Sequence, residues 1–155
     1  MREIQLTQGK FAMVDDEDYE KLNKFNYCYN KGYAARGRTI GKNKRDTITM
    51  HKDIIFCPEG MEIDHINGNK LDNRKSNLRI CTKQQNQWNC SSTKNSTSKY
   101  RGVCFDNGTG KWRAGIMKDG KFIHIGRFFS ETEAAIAWNE KAIEICGEYA
   151  RLNEV

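Results

Sequence analysis

Four polar residues near the middle of the chain could together hydrolyse a phosphodiester bond. Asp64 and His65 end a short run of alternating apolar residues; Asn77 follows His65 by 12 positions, and Asn86 follows Asn77 by 9. An imidazole with a pKa near neutral can take a proton from water. Carboxylate and amide oxygens suit a hard cation such as Mg²⁺. These residues therefore predict metal-assisted hydrolysis, with His65 as the general base and Asp64 and Asn86 as metal ligands.

The position of these residues on a strand sets a condition on the site. Adjacent residues of a strand point to opposite faces, so Asp64 and His65 can share a site only where the strand ends or bends. The Ile-Asn-Gly sequence after His65 is typical of a turn and makes an end here reasonable. The basic loop that follows is predicted to hold phosphates, the alternative being a solvated loop. Its cations are Lys70, Arg74, Lys75 and Arg79.

The residues before this motif predict two hairpins and short helices. Residues 2–14 alternate loosely around a Gln8–Gly9 turn, and the acidic residues 15–18 favour the first turn of a helix. Residues 25–36 (FNYCYNKGYAAR) predict a strand that pairs, through a basic loop, with a second strand over 47–51. The HKDIIF sequence that begins at the end of this second strand favours a short helix or turn.

The basic loop of the second hairpin is a further candidate for phosphate contact. Arg36 and Arg38 are assigned to this loop and are predicted to bind DNA, because neutralised phosphates release counterions. The hairpin tyrosines favour packing over base stacking. His51 can either support the catalytic site or simply pack, and the sequence leaves both open.

The last third of the chain predicts three strands and a helix. The stretches YRGVCF, KWRAGIM and KFIHIGRF are separated by turn sequences, and Ser130 and Gly147 bracket a helical pattern as caps. Residues 99–127 carry seven Lys/Arg and two Asp, a balance of +5, whereas residues 130–155 carry two Lys/Arg and six Glu, a balance of −4. A small sheet that is basic on one side can enter the major groove of DNA.

A polar segment predicts the division of the chain into two domains. Residues 91–98 contain no apolar side chain and are interpreted as a linker. The expected domains are a nuclease domain over 1–92, with its core at 51–90, and a DNA-binding domain over 98–155.

The overall composition agrees with a partner that is a polyanion. The net charge of the 155 residues is +6 and the pI is about 9.0, which is moderate but of the right sign for nucleic acid. The six cysteines have no C-x-x-C spacing, which favours reduced thiols over a zinc site. No long apolar run occurs, so no signal peptide or membrane contact is expected, and the expected location is the cytoplasm, that of the host cell if the protein is phage-encoded.

The central motif resembles that of HNH nucleases, in particular the phage-type homing endonucleases. DHINGNKLDN, SNLR and KQQNQ carry the likeness, with Asn86 where many members have histidine, which makes an H-N-N variant. The resemblance implies an α+β protein with a ββα-metal (His-Me finger) nuclease unit, here with an N-terminal β-hairpin extension. It also implies that Asn77 ties the loop and orients the base, and that each site holds one Mg²⁺ or Mn²⁺ ion.

The tail is similar to the Apetala/ethylene-response-factor DNA-binding domain of plant factors and phage endonucleases. The likeness lies in YRGV, W-R-A, G-R-F and EAA, and implies a small three-stranded antiparallel sheet plus one helix. It departs from that family at Cys104 and His124, so recognition of the plant target is not implied. The implied DNA-binding residues are Arg101, Trp112, Arg113, Lys118 and Arg127.

These features together predict a divalent-metal-dependent endonuclease that acts on double-stranded DNA, with a monomer expected. The rival hypothesis is a DNA-binding regulator whose nuclease unit is degenerate. An RNA-binding protein is a weaker interpretation, because the tail lacks the paired stacking aromatics of common RNA modules.

Overall fold

The structure, a computed structural model, describes residues 1–42, 44–90 and 96–155. These residues form two compact units, Met1–Thr82 and Lys83–Val155, each with an apolar core. Both units combine helices with small antiparallel sheets, which confirms the predicted mixed architecture. The specific ββα-metal arrangement stays a prediction. No helix within the described residues is long and apolar enough to cross a membrane.

The first unit contains two two-stranded sheets and one three-stranded sheet, with order β3-β4-β5. Its elements are β1 (Arg2–Gln5), β2 (Phe11–Val14), α1 (Asp16–Leu22), β3 (Cys28–Asn30), β4 (Tyr33–Thr39), β5 (Arg45–Thr49), α2 (Met50–Ile54), β6 (Glu62–His65) and β7 (Leu78–Cys81).

The first hairpin turns where the sequence predicts. Strands β1 and β2 pair antiparallel, with Arg2 opposite Val14. Between them Gln8 and Gly9 have φ values of 63° and 65°, in the left-handed region that favours glycine. Helix α1 follows with three acidic residues in its first turn, as the acidic cluster predicts.

Residues 25–36 do not form a single strand, so that prediction is wrong. Lys31 and Gly32, with φ values of 49° and 93°, make a two-residue turn that leaves Asn30 opposite Tyr33 in an antiparallel pair. Positive φ at both central residues matches the right-handed twist of the flanking strands, which explains a turn at this Asn-Lys-Gly sequence.

Two further boundaries in the structure differ from those that the sequence predicts. Arg36 and Arg38 lie within β4 rather than in the basic loop to which they were assigned. The strand predicted over 47–51 ends at Thr49, because Met50 and His51 begin α2. The short helix expected near HKDIIF is therefore present but starts earlier.

The N-terminal hairpin forms part of the core of the first unit. The buried residues of this core are Ile4, Leu6, Ala12, Val14, Leu22, Tyr27, Ala34 and Met50. Leu71, from the loop over residues 66–77 (hereafter the site loop), packs against them. The Met13 amide donates to the Leu71 carbonyl at 2.8 Å, and the Asn73 amide donates to the Met13 carbonyl at 2.8 Å. The hairpin thus holds the site loop in place.

The second unit contains the predicted three strands and long helix, together with one shorter helix. Its elements are α3 (Lys83–Asn89), β8 (Val103–Asp106), β9 (Lys111–Lys118), β10 (Lys121–Phe128) and α4 (Glu131–Cys146). The sheet has order β10-β9-β8 and packs on α4 through Val103, Ala114, Ile116, Ala134, Ala135, Trp138 and Ala142. Ser130 caps α4 by accepting from the Thr132 amide at 3.2 Å, and Gly147 follows its end, as predicted.

The two compact units divide ten residues before the predicted end of the nuclease domain. Helix α3 packs with the second unit, although the motif that predicts the nuclease site runs through it. Residues 91–95 of the expected linker lie outside the described residues. Ser98, at its far end, is buried and donates a hydrogen bond to Glu131 at 2.6 Å. The functional domain limits stay predictions.

Candidate active site

His65 is the best-enclosed candidate for chemistry. It is the last residue of β6 and is only 4% exposed. Its Nε2 lies 3.2 Å from the side-chain oxygen of Asn73 in the site loop. The His51 ring, from α2, meets it edge-on at a centroid distance of 5.1 Å, and the Tyr33 ring, from β4, lies at 6.1 Å. Three elements therefore fix one imidazole.

The environment of His65 suits a general base. Burial lowers the pKa of His65, while the hydrogen bond with Asn73 and the charges of Asp64 and Asp72 act in the opposite direction. Burial prevails, so the ring is neutral at neutral pH. Because a carboxamide oxygen can only accept, Nε2 donates to Asn73 and Nδ1 keeps the lone pair that can take a proton.

His51 is itself buried and stands beside the candidate base. Its Nε2 lies 2.8 Å from the hydroxyl of Thr49, and the residue is 6% exposed. Burial, together with the charges of His65 and Lys52, lowers the pKa of His51 to about 4. Of the two roles that the sequence leaves open, contact with the site is the one that the structure displays.

The site loop is closed on itself by Asn77. The Asn77 side chain accepts from the Asn67 amide at 3.0 Å and donates to the Asp72 carbonyl at 2.8 Å. The Ile66 amide donates to the Asn77 carbonyl at 2.9 Å. Asn77 therefore joins the beginning of the loop to its end.

The side chain that reaches the His65 ring from this loop is Asn73, which the sequence does not mark. Asn73 lies inside the quoted motif and is 1% exposed, but nothing in its spacing distinguishes it from the neighbouring turn asparagines. The burial of a carboxamide beside a histidine is a tertiary feature, and only the structure reveals it.

Asp64 forms a buried ion pair with Arg79. The two residues are cross-strand partners in β6 and β7, and Asp64 Oδ2 accepts from Arg79 at 2.9 Å and 2.8 Å. Their side chains are 6% and 14% exposed. Arg79, predicted to hold a phosphate, thus has a carboxylate as a partner inside the unit.

The predicted metal ligands suit a hard divalent cation in their chemistry. Asp64 offers carboxylate oxygen and Asn86 amide oxygen, the donors such ions prefer. Within the described residues, no three His, Cys, Asp or Glu side chains form a metal-binding group. The predicted pair needs no such group, since water and phosphate oxygens would complete the shell. Asn86 lies in α3 of the second unit, so its proximity to Asp64 stays a prediction.

All six cysteines lie within the described residues, and each is a free thiol. Cys81, which is buried in β7, has its pKa raised to about 11 by that burial. A thiol in this state is protonated at neutral pH and is a poor metal ligand.

Several cations that the sequence assigns to DNA have carboxylate partners instead. The Arg36 guanidinium, 15% exposed, makes two hydrogen bonds to Asp53 at 2.8 Å and 2.7 Å. Arg74 binds Asp72 at 2.7 Å and 2.6 Å within the site loop, and this contact lowers the pKa of Asp72. A guanidinium held this way already donates two hydrogen bonds to a carboxylate of the protein itself.

Three other cations of the first unit that the sequence predicts to bind phosphate are more exposed. Lys75 pairs with the exposed Glu17 and, at 3.0 Å, with the buried Asp18, but is itself 44% exposed. Arg38, paired with Asp46 at 3.2 Å, is 48% exposed, and an exposed pair of this kind stabilises little. Lys70 is exposed, with its ammonium 4.4 Å from the centre of the Tyr33 ring.

In the second unit, strand alternation separates two predicted DNA contacts. Trp112 packs towards the α4 side with Phe128, and its ring meets Phe105 at 5.1 Å. Arg113 is the next residue of β9, so it faces the other side, where it lies 5.2 Å from the Phe122 ring. Trp112 therefore packs, half-buried, on the opposite side of the sheet from Arg113, and its DNA contact stays a prediction.

The remaining tail cations differ in their surroundings. Lys118 is exposed at the end of β9, and Arg127, 44% exposed, pairs with Asp106 at 3.1 Å. Arg101 donates hydrogen bonds to the backbone carbonyls of Gln87, Trp88 and Cys90. The structure thus gives Arg101 partners other than the predicted phosphate.

Comparison with known proteins places this motif in a family of nucleases. Residues 57–88 match the family model for HNH endonucleases, a segment that includes β6, β7 and most of α3. This segment therefore resembles an HNH endonuclease domain, and the match supports a nuclease enzyme. Enzymes of this family generally use a divalent metal ion.

Two viral proteins are similar to the chain over different lengths. It is 29% identical to "Uncharacterized HNH endonuclease L560" of Acanthamoeba polyphaga mimivirus over 154 residues, which are 96% of this chain and 77% of the relative. It is 36% identical to "Protein 3.8" of Escherichia phage T7 over 64 residues, which are 41% of this chain and 53% of that protein. No solved structure matches the chain.

Proposed function

We propose that the protein is a divalent-metal-dependent endonuclease of the phage homing type, which hydrolyses phosphodiester bonds in double-stranded DNA. The observation that carries the proposal is the buried, neutral His65, held by Asn73 inside the segment that matches the HNH endonuclease model.

In the proposed reaction, His65 Nδ1 takes a proton from a water molecule as the water oxygen attacks phosphorus. A new P–O bond forms and the bond from phosphorus to the 3′ oxygen breaks, with its electron pair leaving on that oxygen. Asn73 and His51 keep the imidazole in position during this step. Asp64 and Asn86 would hold one Mg²⁺ or Mn²⁺ ion, whose charge would offset the negative charge on the phosphate and the leaving oxygen.

Arg79 has a positioning role in this account. Its two hydrogen bonds fix the Asp64 carboxylate on the β6–β7 sheet. A buried carboxylate is costly unless it is paired, so the pair preserves a charged ligand close to the base.

Of the cations that the sequence predicts to bind DNA, the more exposed ones keep that assignment. In the second unit these are Lys118 and Arg127, together with the half-buried Arg113, which lies on the side of the sheet away from α4. In the first unit they are Lys70 and Arg38, with Lys75 available if its ion pairs with Glu17 and Asp18 open. Arg36, Arg74 and Arg79 contribute through the internal ion pairs described above.

The test is a plasmid nicking assay with Mg²⁺, with Mn²⁺ and with EDTA. Cleavage is expected with either ion and not with EDTA, and Asp64→Asn should lose at least about tenfold in rate because a neutral amide binds a hard cation less strongly. Asp119→Asn is the matched control, in an exposed turn that tolerates asparagine. Undiminished cleavage in EDTA would contradict the metal requirement.

A further inference from the structure

The C-terminal end of α3 is capped by an arginine from another part of the second unit. The Arg101 guanidinium donates to the carbonyls of Trp88 and Cys90 through one nitrogen and to that of Gln87 through the other. The last carbonyls of a helix have no partners within the helix, and a cation there also interacts favourably with the helix dipole. The Trp88 carbonyl accepts in addition from the Arg151 amide at 3.2 Å.

A second contact fastens the side of the same helix to the sheet. The Trp88 indole donates to the Met117 carbonyl of β9 at 3.0 Å, and its ring packs against the core of the second unit. Helix α3 has seven residues. Helices shorter than about 12 residues are marginal alone, so these contacts decide whether α3 stays ordered.

Arg101 is itself held firmly. Its amide donates to the Asn153 side chain at 2.7 Å, and Asn153 donates back to the Arg101 carbonyl at 3.2 Å. Asn153 is tied in turn to Asn139 of α4 at 2.8 Å and 2.9 Å. The backbone of Arg101, from which the guanidinium extends, is therefore fixed by Asn153 and, through it, by Asn139 of α4.

The backbone next to Arg101 has little room to adopt another conformation. Gly102 has a φ of 71°, and a Cβ at this residue would come within 1.9 Å of the Trp138 indole. The Arg101 guanidinium lies 5.5 Å from the same indole and is partly buried. A buried guanidinium is stable only when hydrogen-bonded, and here the carbonyls of α3 supply those bonds.

We propose that Arg101 is a positioning residue for DNA cleavage, because it caps α3 and so fixes Asn86, the residue immediately before the first capped carbonyl. The inference rests on the proposed function, in which Asn86 is a metal ligand. Arg101 is then the residue that holds the end of α3 in place (hereafter the clamp), and not the DNA contact that the sequence predicts. The sheet assigned to DNA binding and the helix that carries Asn86 then form one body, so that DNA contact and ligand placement are set together.

The clamp can be tested without metal or DNA by hydrogen exchange of the full chain. In Arg101→Gln, amides of residues 83–90 should exchange at least about tenfold faster, since hydrogen bonds to a charged group are each worth roughly 1.4 kcal/mol or more. Arg101→Lys should be intermediate, because an ammonium cannot match the guanidinium fork. Lys141→Met, the control, removes a surface cation of α4 that pairs with Glu144, and should leave these amides unchanged. Unchanged exchange in both Arg101 variants would overturn the proposal.

Cleavage then tests the link to catalysis. At saturating DNA, Arg101→Gln should lower the single-turnover rate at least about tenfold while its affinity for DNA in EDTA stays within about threefold of wild type. Lys118→Met, which removes an exposed cation assigned to DNA, should weaken affinity. If Arg101→Gln instead loses affinity and keeps both the rate and the α3 exchange, Arg101 is a phosphate contact and the clamp is wrong. If wild type fails to cleave with Mg²⁺ or Mn²⁺, the proposed function fails, and the exchange experiment still decides the clamp.

Discussion

Asn73 is the residue whose importance differs most between sequence and structure. It is buried and hydrogen-bonded to His65, whereas Asn77, the asparagine that the motif singles out, closes the site loop. Both asparagines therefore support His65, one by direct contact with the ring and the other by joining the two ends of the site loop. The resemblance to HNH nucleases could imply only the second.

Asn73→Ala should lower the cleavage rate about tenfold to hundredfold at saturating DNA, because the imidazole loses the partner that sets its orientation and tautomer. Single-turnover plasmid cleavage measures this directly. The matched control is Asn107→Ala, which removes an exposed turn asparagine and should change the rate by less than about twofold. Equal rates for Asn73→Ala and wild type would show that His65 does not depend on this contact.

His51 makes the stability of the protein depend on pH. Its pKa of about 4 in the folded chain lies below the value of about 6.5 in an unfolded chain. Between these values the unfolded state binds more protons, so the contribution is fully present above about pH 6.5 and is lost as the pH falls towards 4. It amounts to at most ~3 kcal/mol.

The check is urea unfolding of wild type and His51→Phe between pH 7.5 and pH 4.5. The free energy of unfolding of wild type should fall more steeply with acid than that of the variant, because phenylalanine does not titrate. Parallel profiles would mean that His51 is not buried in its neutral form.

At the scale of elements, the sequence predicts those with strong local signals. The first hairpin, the acidic start of α1 and the capped α4 each follow from turn glycines, first-turn carboxylates or a serine cap. The turn at Lys31–Gly32 lies within an aromatic-rich run, so the periodicity of the run suggests one strand where there are two. Here the two-residue turn at Lys31–Gly32 decides the structure, and the aromatic-rich pattern of the run does not.

Gly32→Ala should lower the free energy of unfolding by about 1–2 kcal/mol, since a φ of 93° strains an L side chain. Its added Cβ would also lie 3.4 Å from the Lys70 side chain. Gly37→Ala, within the β4 strand that follows this turn, is the control, because a Cβ there meets no atom within 4 Å. Urea denaturation compares the two, and an equal effect would mean that the turn is not strained.

At the scale of the whole molecule, the partners of charged residues are what the sequence cannot supply. The sequence assigns clustered Lys and Arg to phosphate, and it does not show that Arg36 pairs with Asp53, 17 residues away, or that Arg79 pairs with Asp64, 15 residues away. An exposed cation and an ion-paired cation cannot be told apart from the amino-acid sequence alone. Sequence chemistry therefore predicts the base and the class of reaction, and the structure shows which of the predicted DNA-binding cations have carboxylate partners within the fold.

The division into two units has the same origin. Helix α3 follows the nuclease motif in sequence, but Trp88 and the Arg101 cap join it to the second unit. The sequence predicts the boundary at a polar segment. Composition indicates which residues are solvated, but it does not indicate which core a neighbouring helix packs against. The predicted nuclease domain includes α3, whereas the compact unit that contains the rest of the motif ends at Thr82.

The central claim is that His65 is the general base of DNA cleavage, and plasmid cleavage by His65→Ala tests it most directly. With Mn²⁺ and saturating DNA, the single-turnover rate should fall by about 10²–10⁴, the usual contribution of a positioned base. His124→Ala, which removes an exposed histidine of β10, should keep the wild-type rate. A His65→Ala variant that folds, binds DNA and cleaves as fast as wild type would contradict the account.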